Sequence, residues 1–165
     1  MNIFLIIAAV AVGGWIILIL LLKGIAAFLK KSALKAARKL LVNEKILKIT
    51  DNASFLGADF PGPNLPPRTS GVLAVTDRKI FFLPWFPRKP ISLPYEWVNG
   101  VGLQASFGKL GFSVPCMVVR VKDLKDPEGS IAWLVHEPKE WEKTIGSRVN
   151  SGGPGTRYQV PGTGV

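Results

Sequence analysis

Residues 3–22 hold no charged side chain, and the next twenty-six carry eight Lys or Arg against a single Glu. A helix of twenty residues rising 1.5 Å each is about 30 Å long, which matches the hydrocarbon thickness of a bilayer. Fourteen of the twenty are Ile, Leu, Val or Phe, and each favours insertion by about 0.3–0.6 kcal/mol near the middle of a membrane helix. A buried core helix is a poor alternative, because a chain of 165 residues cannot wrap twenty residues that are apolar all round. A cleaved secretory signal fits no better: it starts with a positive segment, keeps its apolar core to about 7–15 residues and ends at a small-residue cleavage site. The segment reads as a transmembrane anchor over residues 1–22. The excess of Lys23, Lys30, Lys31, Lys35, Arg38 and Lys39 on one side places that side in the cytoplasm and the N-terminus outside. Ala9 and Gly13, four apart in the span, offer a close approach for a second helix.

The formal net charge of +10 is unevenly spread, with thirteen basic against ten acidic residues left for positions 49–165. A nucleic-acid binder spreads its cations over a folded face with interleaved aromatics, so nucleic acid is not an expected partner. Over residues 23–43, Lys31, Lys35, Arg38 and Lys39 occupy one arc of a helical wheel and Ile25, Leu29, Ala33, Ala36 and Leu40 another. That is the pattern of an amphipathic helix lying in the headgroup plane. Each Lys or Arg beside an anionic leaflet contributes about 1 kcal/mol.

Residues 44–146 are enough for one small domain. Short apolar runs separated by Pro and Gly turns predict an all-β sandwich or barrel. The expected strands cover residues 45–57, 71–76, 79–85, 91–93, 98–107, 112–122 and 130–135, with a Pro-rich loop at 59–70. Pro138 suits a first helical position, and Trp141 and Ile145, four apart, share one face of a closing helix. The Gly/Ser/Pro-rich residues 147–165 read as a disordered tail. Cys116, the single cysteine, sits among apolar strand residues and reads as an inert core thiol.

Gly71-Val-Leu-Ala-Val-Thr-Asp-Arg-Lys-Ile-Phe-Phe-Leu resembles the GRAM and bacterial pleckstrin-homology-like families. Their recurring phrase is Gly, an apolar strand, a Thr-Asn/Asp-x-Arg/Lys turn and an aromatic-rich second strand. Pro90-Ile-Ser-Leu-Pro-Tyr-Glu-Trp-Val-Asn-Gly-Val and Leu41-Val-Asn-Glu-Lys-Ile-Leu are similar to the segments that follow and precede that phrase. The resemblance covers residues 41–145. It implies an α+β, mostly β barrel or sandwich of about seven strands with a C-terminal capping helix, preceded here by the transmembrane and basic helices. It also implies a module that binds lipid or protein and is no enzyme. The basic side chains that phosphoinositide-binding relatives place around their first hairpin are absent, since residues 59–70 hold Arg68 alone.

No pattern for catalysis or cofactor binding is legible. His136 is the sole histidine and Cys116 the sole cysteine, which rules out a His pair or a zinc set. Gly108-Lys109 lacks the spacing and the hydroxyl of a phosphate-binding loop and reads as a hairpin turn. The suggestive surface element is Pro84-Trp-Phe-Pro-Arg-Lys-Pro90, whose rings and cations suit the headgroup layer. The candidate lipid-binding residues are therefore Lys30, Lys31, Lys35, Arg38, Lys39, Trp85, Phe86, Arg88 and Lys89. Two readings stand: a membrane-anchored binding module that meets anionic headgroups and recruits a protein partner, or a structural subunit of a homo-oligomeric membrane assembly.

Overall fold

The computed structural model describes residues 3–59, 68–108, 110–122 and 129–152. The chain opens with one unbroken helix, α1, Ile3–Leu40, about 57 Å long at the standard rise. The expected transmembrane and juxtamembrane helices are thus a single rod. Residues 25–40 are mostly Ala, Leu and Lys without proline, strong helix formers. The single Gly24 costs about 1 kcal/mol, too little to break them.

Seven antiparallel strands follow: β1 Ile46–Ala58, β2 Thr69–Thr76, β3 Lys79–Pro84, β4 Ile91–Pro94, β5 Val98–Phe107, β6 Leu110–Val121 and β7 Gly129–Leu134. They form one sheet in the order β4-β3-β2-β1-β7-β6-β5. β1 is the pivot. It pairs with β2 through Phe55 and with β7 from Ser54 onward, with register shifts between Thr50 and Ala53 and between Phe55 and Gly57. Such irregularities bend a strand and increase its twist, so β1 serves both halves of a curled sheet. Inside the curl, the rings of Phe55, Phe82 and Trp133 meet with centroids 6.0–6.3 Å apart.

The pleat sends alternate residues to opposite faces. In β2 and β3, Leu73, Val75, Ile80 and Phe82 join the inner core. Val72, Ala74, Phe81 and Leu83 point outward, yet are also buried. Strands covered on both faces read as continuous apolar runs, which is what Val72-Leu-Ala-Val and Ile80-Phe-Phe-Leu are. The outer cover is α1: Ala33, Ala37 and Leu41 pack on those four side chains, with Ala36 half-buried beside them. This corrects the expectation of a helix lying in the headgroup plane, because the sheet occupies the apolar stripe from Ala33 onward. Leu40, assigned to that stripe from sequence, is exposed, as is Ile25.

Gly71 is required by close approach. A Cβ there would stand 2.6 Å from the Leu83 carbonyl oxygen and 2.7 Å from the Phe82 ring. Gly108 turns β5 into β6 with φ of 59°, a conformation that costs glycine little.

The inner core is closed by α2, Pro138–Gly152. Trp141 and Ile145 are buried in it and Val149 packs beside them. The helix therefore runs past Gly146, beyond the point at which the sequence predicts a tail. Val149 continues the Trp141/Ile145 face, and burying it offsets the helix-weakening Gly146; residues 153–165 lie outside the described residues. Lys48 of β1 pairs with Glu140 of α2 and lies 5.3 Å from the centre of the Trp141 ring. The hydrogen bond and charge of Lys48 hold the Glu140 carboxyl below its ordinary range. Cys116 is buried and donates to the Gln104 carbonyl at 3.2 Å, and burial pushes its thiol pKa up.

The β2–β3 turn locks to the end of α1. The Thr76 hydroxyl accepts from the amides of Arg78 and Lys79 at 3.1 and 3.0 Å and donates to the Glu44 carboxylate at 2.8 Å. Glu44 also pairs with Lys79 at 2.7 Å. Thr76→Val keeps the shape but removes a hydrogen bond from the partly buried Glu44 carboxylate and from two amides. It lowers stability by about 1–3 kcal/mol, read from denaturant unfolding in mild detergent.

Tyr95 is half-buried, donates to the Thr76 carbonyl at 2.8 Å, and has its pKa pushed by burial from 10.0 to about 12. Below pH 10 the phenol is protonated in both folded and unfolded chains, and its contribution is complete. Between about 10 and about 12 the unfolded chain ionises first, so stability falls as pH rises. Tyr95→Phe flattens that slope in an unfolding series across the window.

Candidate membrane-facing site

Two elements meet at the side of the domain nearest the span. The first is the loop joining β3 to β4. Its start is tied to β2 by the Trp85 amide, which donates to the Ser70 carbonyl at 3.0 Å, and it folds on itself through Lys89 N–H donating to the Pro87 carbonyl at 2.9 Å. Pro84, Pro87 and Pro90 fix φ at three of its positions, and the Phe86–Pro87 peptide is cis. Trp85 is half-buried against the cluster that α1 makes with the outer sheet face, its Nε1–H enclosed with no acceptor among the described residues. Phe86 turns the other way and is 80% exposed. The second element is α1 itself. Arg88 donates from its guanidinium to the Ser32 hydroxyl at 2.8 Å, joining loop to helix.

The nine sequence-predicted residues therefore fall into two groups. Lys30, Lys31, Trp85, Phe86, Arg88 and Lys89 lie around the Ser32 contact. Lys35, Arg38 and Lys39 are exposed on α1 but extend to about 10 Å farther along the rod. Lys30 is partly engaged, pairing with Asp51 of β1 at 3.2 Å. Sequence reasoning missed Ser32 and Asp51, whose signal is a contact between segments distant in the chain.

Sequence reasoning placed Ile25 in the apolar stripe of an amphipathic helix and gave Phe28 no role; residues 24–28 are exposed throughout. Ile25 is 56% and Phe28 71% exposed. Removing one such side chain from water is worth about 1.5–3 kcal/mol. Lys23 is the single charge between residues 3 and 29. Holding a lysine at the centre of a membrane helix costs about 2.5–3.5 kcal/mol, and less near an end, where its stem reaches the interface.

A groove of about 700 Å³ is lined by Asn52, Ser54, Val114, Leu134 and His136 among others. The His136 ring is exposed and lies 3.8 Å from Glu137. Among the described residues no three His, Cys, Asp or Glu side chains gather closely enough to hold a metal.

Seven antiparallel strands curled around an aromatic core, with a C-terminal helix closing the inner core, decide the architecture. The fold is pleckstrin-homology-like. The N-terminal PH domain of Vps36 superposes with a TM-score of 0.51 at 11% identity, over 67% of this chain and 82% of that one. The C-terminal domain of an unknown protein from Leishmania infantum gives a TM-score of 0.50 at 14% identity, over 73% and 97% respectively. No protein-family model and no curated protein matches the sequence, so the likeness is one of fold, and the GRAM resemblance rests on the sequence phrases alone. Here a pleckstrin-homology-like domain is fused to a helix that, among the described residues, alone is long and apolar enough to cross a membrane.

The Arg88–Ser32 bond, together with the packing of Trp85, holds this pleckstrin-homology-like domain's loop on α1. Arg88→Ala therefore accelerates amide exchange at Trp85 and Lys89 severalfold and leaves residues 72–75 unchanged, as read by hydrogen-exchange mass spectrometry in detergent. Equal exchange in both proteins means that the packing of Trp85 and the loop's own backbone bonds hold it without Arg88.

Proposed function

We propose that this chain is a single-pass, non-enzymatic membrane protein whose pleckstrin-homology-like domain is held at the cytoplasmic leaflet as a binding module. The observation that carries the reading is the unbroken α1, apolar through its first part and packed on the sheet through its last. A domain fixed to a span in this way stays within reach of whatever else lies at that surface, and tethering raises its effective concentration there.

The charge distribution supports the cytoplasmic side, because Lys23, Lys30, Lys31, Lys35, Arg38 and Lys39 cluster directly after the apolar segment and basic flanks remain inside. The cations of α1 and of the 85–89 loop are drawn to anionic headgroups and orient the domain, leaving its remaining surface for a protein partner. No phosphoinositide pocket is required, since surface attraction to an anionic leaflet needs charge density rather than a specific cradle.

Lys31, Lys35, Arg38 and Lys39 are all exposed. At about 1 kcal/mol per cation near the surface, changing all four to Gln weakens binding of a chain lacking residues 1–22 to vesicles containing phosphatidylglycerol by at least tenfold at low salt. Binding of the wild-type sequence falls as salt rises, through screening. Equal vesicle binding by the two proteins would leave α1 a plain stalk and remove the lipid part of the proposal.

A further inference from the structure

Resting on the membrane-anchor reading above, we propose that the hydrocarbon on the domain side reaches Leu29 rather than stopping at Lys23, and that the 85–90 loop sits in the headgroup layer with Phe86 as its inserted ring. Three observations converge. Residues 24–28 are exposed, with Ile25 at 56% and Phe28 at 71%. In water this segment would be a bare apolar neck between membrane and domain. In lipid it continues the span, and Lys23, about 9 Å inside the new boundary, extends its ammonium outward along its apolar stem.

The second observation is the position of the loop. Arg88 is bonded to Ser32, three residues and so about 4–5 Å beyond Leu29. The headgroup layer on each side of a bilayer is about 5–7 Å deep. The contact falls inside it. Phe86, exposed by 80%, then presents an aromatic ring at the depth where aromatic side chains anchor proteins. Arg88 and Lys89, two and three residues on from Phe86, and the exposed Lys31 next to Ser32 supply cations suited to lipid phosphates.

The third is the absence of slack. α1 is one helix through residue 40, and Ala33, Ala37 and Leu41 are buried on the sheet, so the domain cannot swing independently of the span. Residues 3–29 would extend about 40 Å, longer than a hydrocarbon core of about 30 Å, and a helix with that mismatch tilts. A lean toward the Ser32 side lowers the loop onto the leaflet and carries the β2–β3 turn away. Lys35, Arg38 and Lys39 then stand progressively outside the headgroups, within a Debye length or two of them. The lipid surface is thus contacted by the loop and by Lys30 and Lys31, while the distal cations act at longer range.

The test uses the full chain in phosphatidylcholine/phosphatidylglycerol vesicles, with an environment-sensitive fluorophore on one added cysteine at a time: L18C, I25C, R78C or F86C. All four native side chains are exposed, and the buried Cys116 is checked for labelling in the unmodified protein. Arg78 lies at the opposite end of β3 from the loop, about 20 Å away along the strand. Nitroxide lipids spin-labelled at the headgroup or deep in the acyl chain act as quenchers. The proposal expects deep quenching at position 18, acyl-chain quenching at 25, and headgroup-level quenching at 86 at least threefold stronger than at 78. If 18 is quenched while either 25 or 86 matches 78, the proposal is overturned and the anchor stands. If 18 is unquenched, the anchor reading fails and the proposal falls with it.

Discussion

The packing of Ala33, Ala37 and Leu41 against Val72, Ala74, Phe81 and Leu83 is the contact on which the rest of this molecule depends. It joins the long apolar helix and the small β domain into one body. Two alanines at helical spacing let the rod approach the sheet closely, and the sheet gains cover for a face that would otherwise expose four apolar side chains. The ends of the contact are secured by polar bonds: Arg88 to Ser32 near the span, and Glu44 to Thr76 and Lys79 at the far end. Charged and hydrogen-bonding groups at such half-exposed sites contribute about 1 kcal/mol each. Burial of the apolar cluster therefore dominates the energy, and the polar bonds set register and direction.

Most of the fold is legible in the chain because its strands carry local signals. Thr76-Asp77-Arg78 announces a turn, Gly108 another, and Pro90 and Pro94 confine 91–94 to a short edge strand. Trp141 and Ile145 show one helical face seeking a core. The continuity of α1 is harder to read, since a charge at Lys23 looks like the end of something when only solvent preference is considered. A second clue was present in β2 and β3, whose apolar residues do not alternate. A strand buried on both faces needs a cover on each, and residues 33–41 were the available one. The candidate site is legible in composition but not in arrangement. Phe86, Arg88 and Lys89 are conspicuous beside three prolines, yet nothing local in sequence brings position 88 to position 32. The extent of α2 was underestimated because Gly146 and Ser147 resemble the tail that follows, whereas Val149 still has a core to meet.

For function, the decisive consequence is orientation. A pleckstrin-homology-like domain on a flexible linker would sample many poses above a membrane. Here α1 runs unbroken into its packing on the sheet, so on the proposed reading the anchor would set the pose and weak contacts between loop and headgroups would only add to it. On that reading the groove beside His136 and the β5 end of the sheet would be carried at defined heights and directions above the leaflet. A partner of the proposed module would then meet a fixed surface, which suits positioning better than capture from solution.

The central claim is that span and domain form one rigid unit. Pulsed electron–electron resonance between spin labels at Leu22 and Arg120, both exposed, tests it in vesicles holding the full chain. The account predicts a single narrow distance distribution, unchanged between detergent and bilayer. A broad or multimodal distribution would show a hinge between membrane and sheet, and the fixed orientation argued from α1 would be wrong.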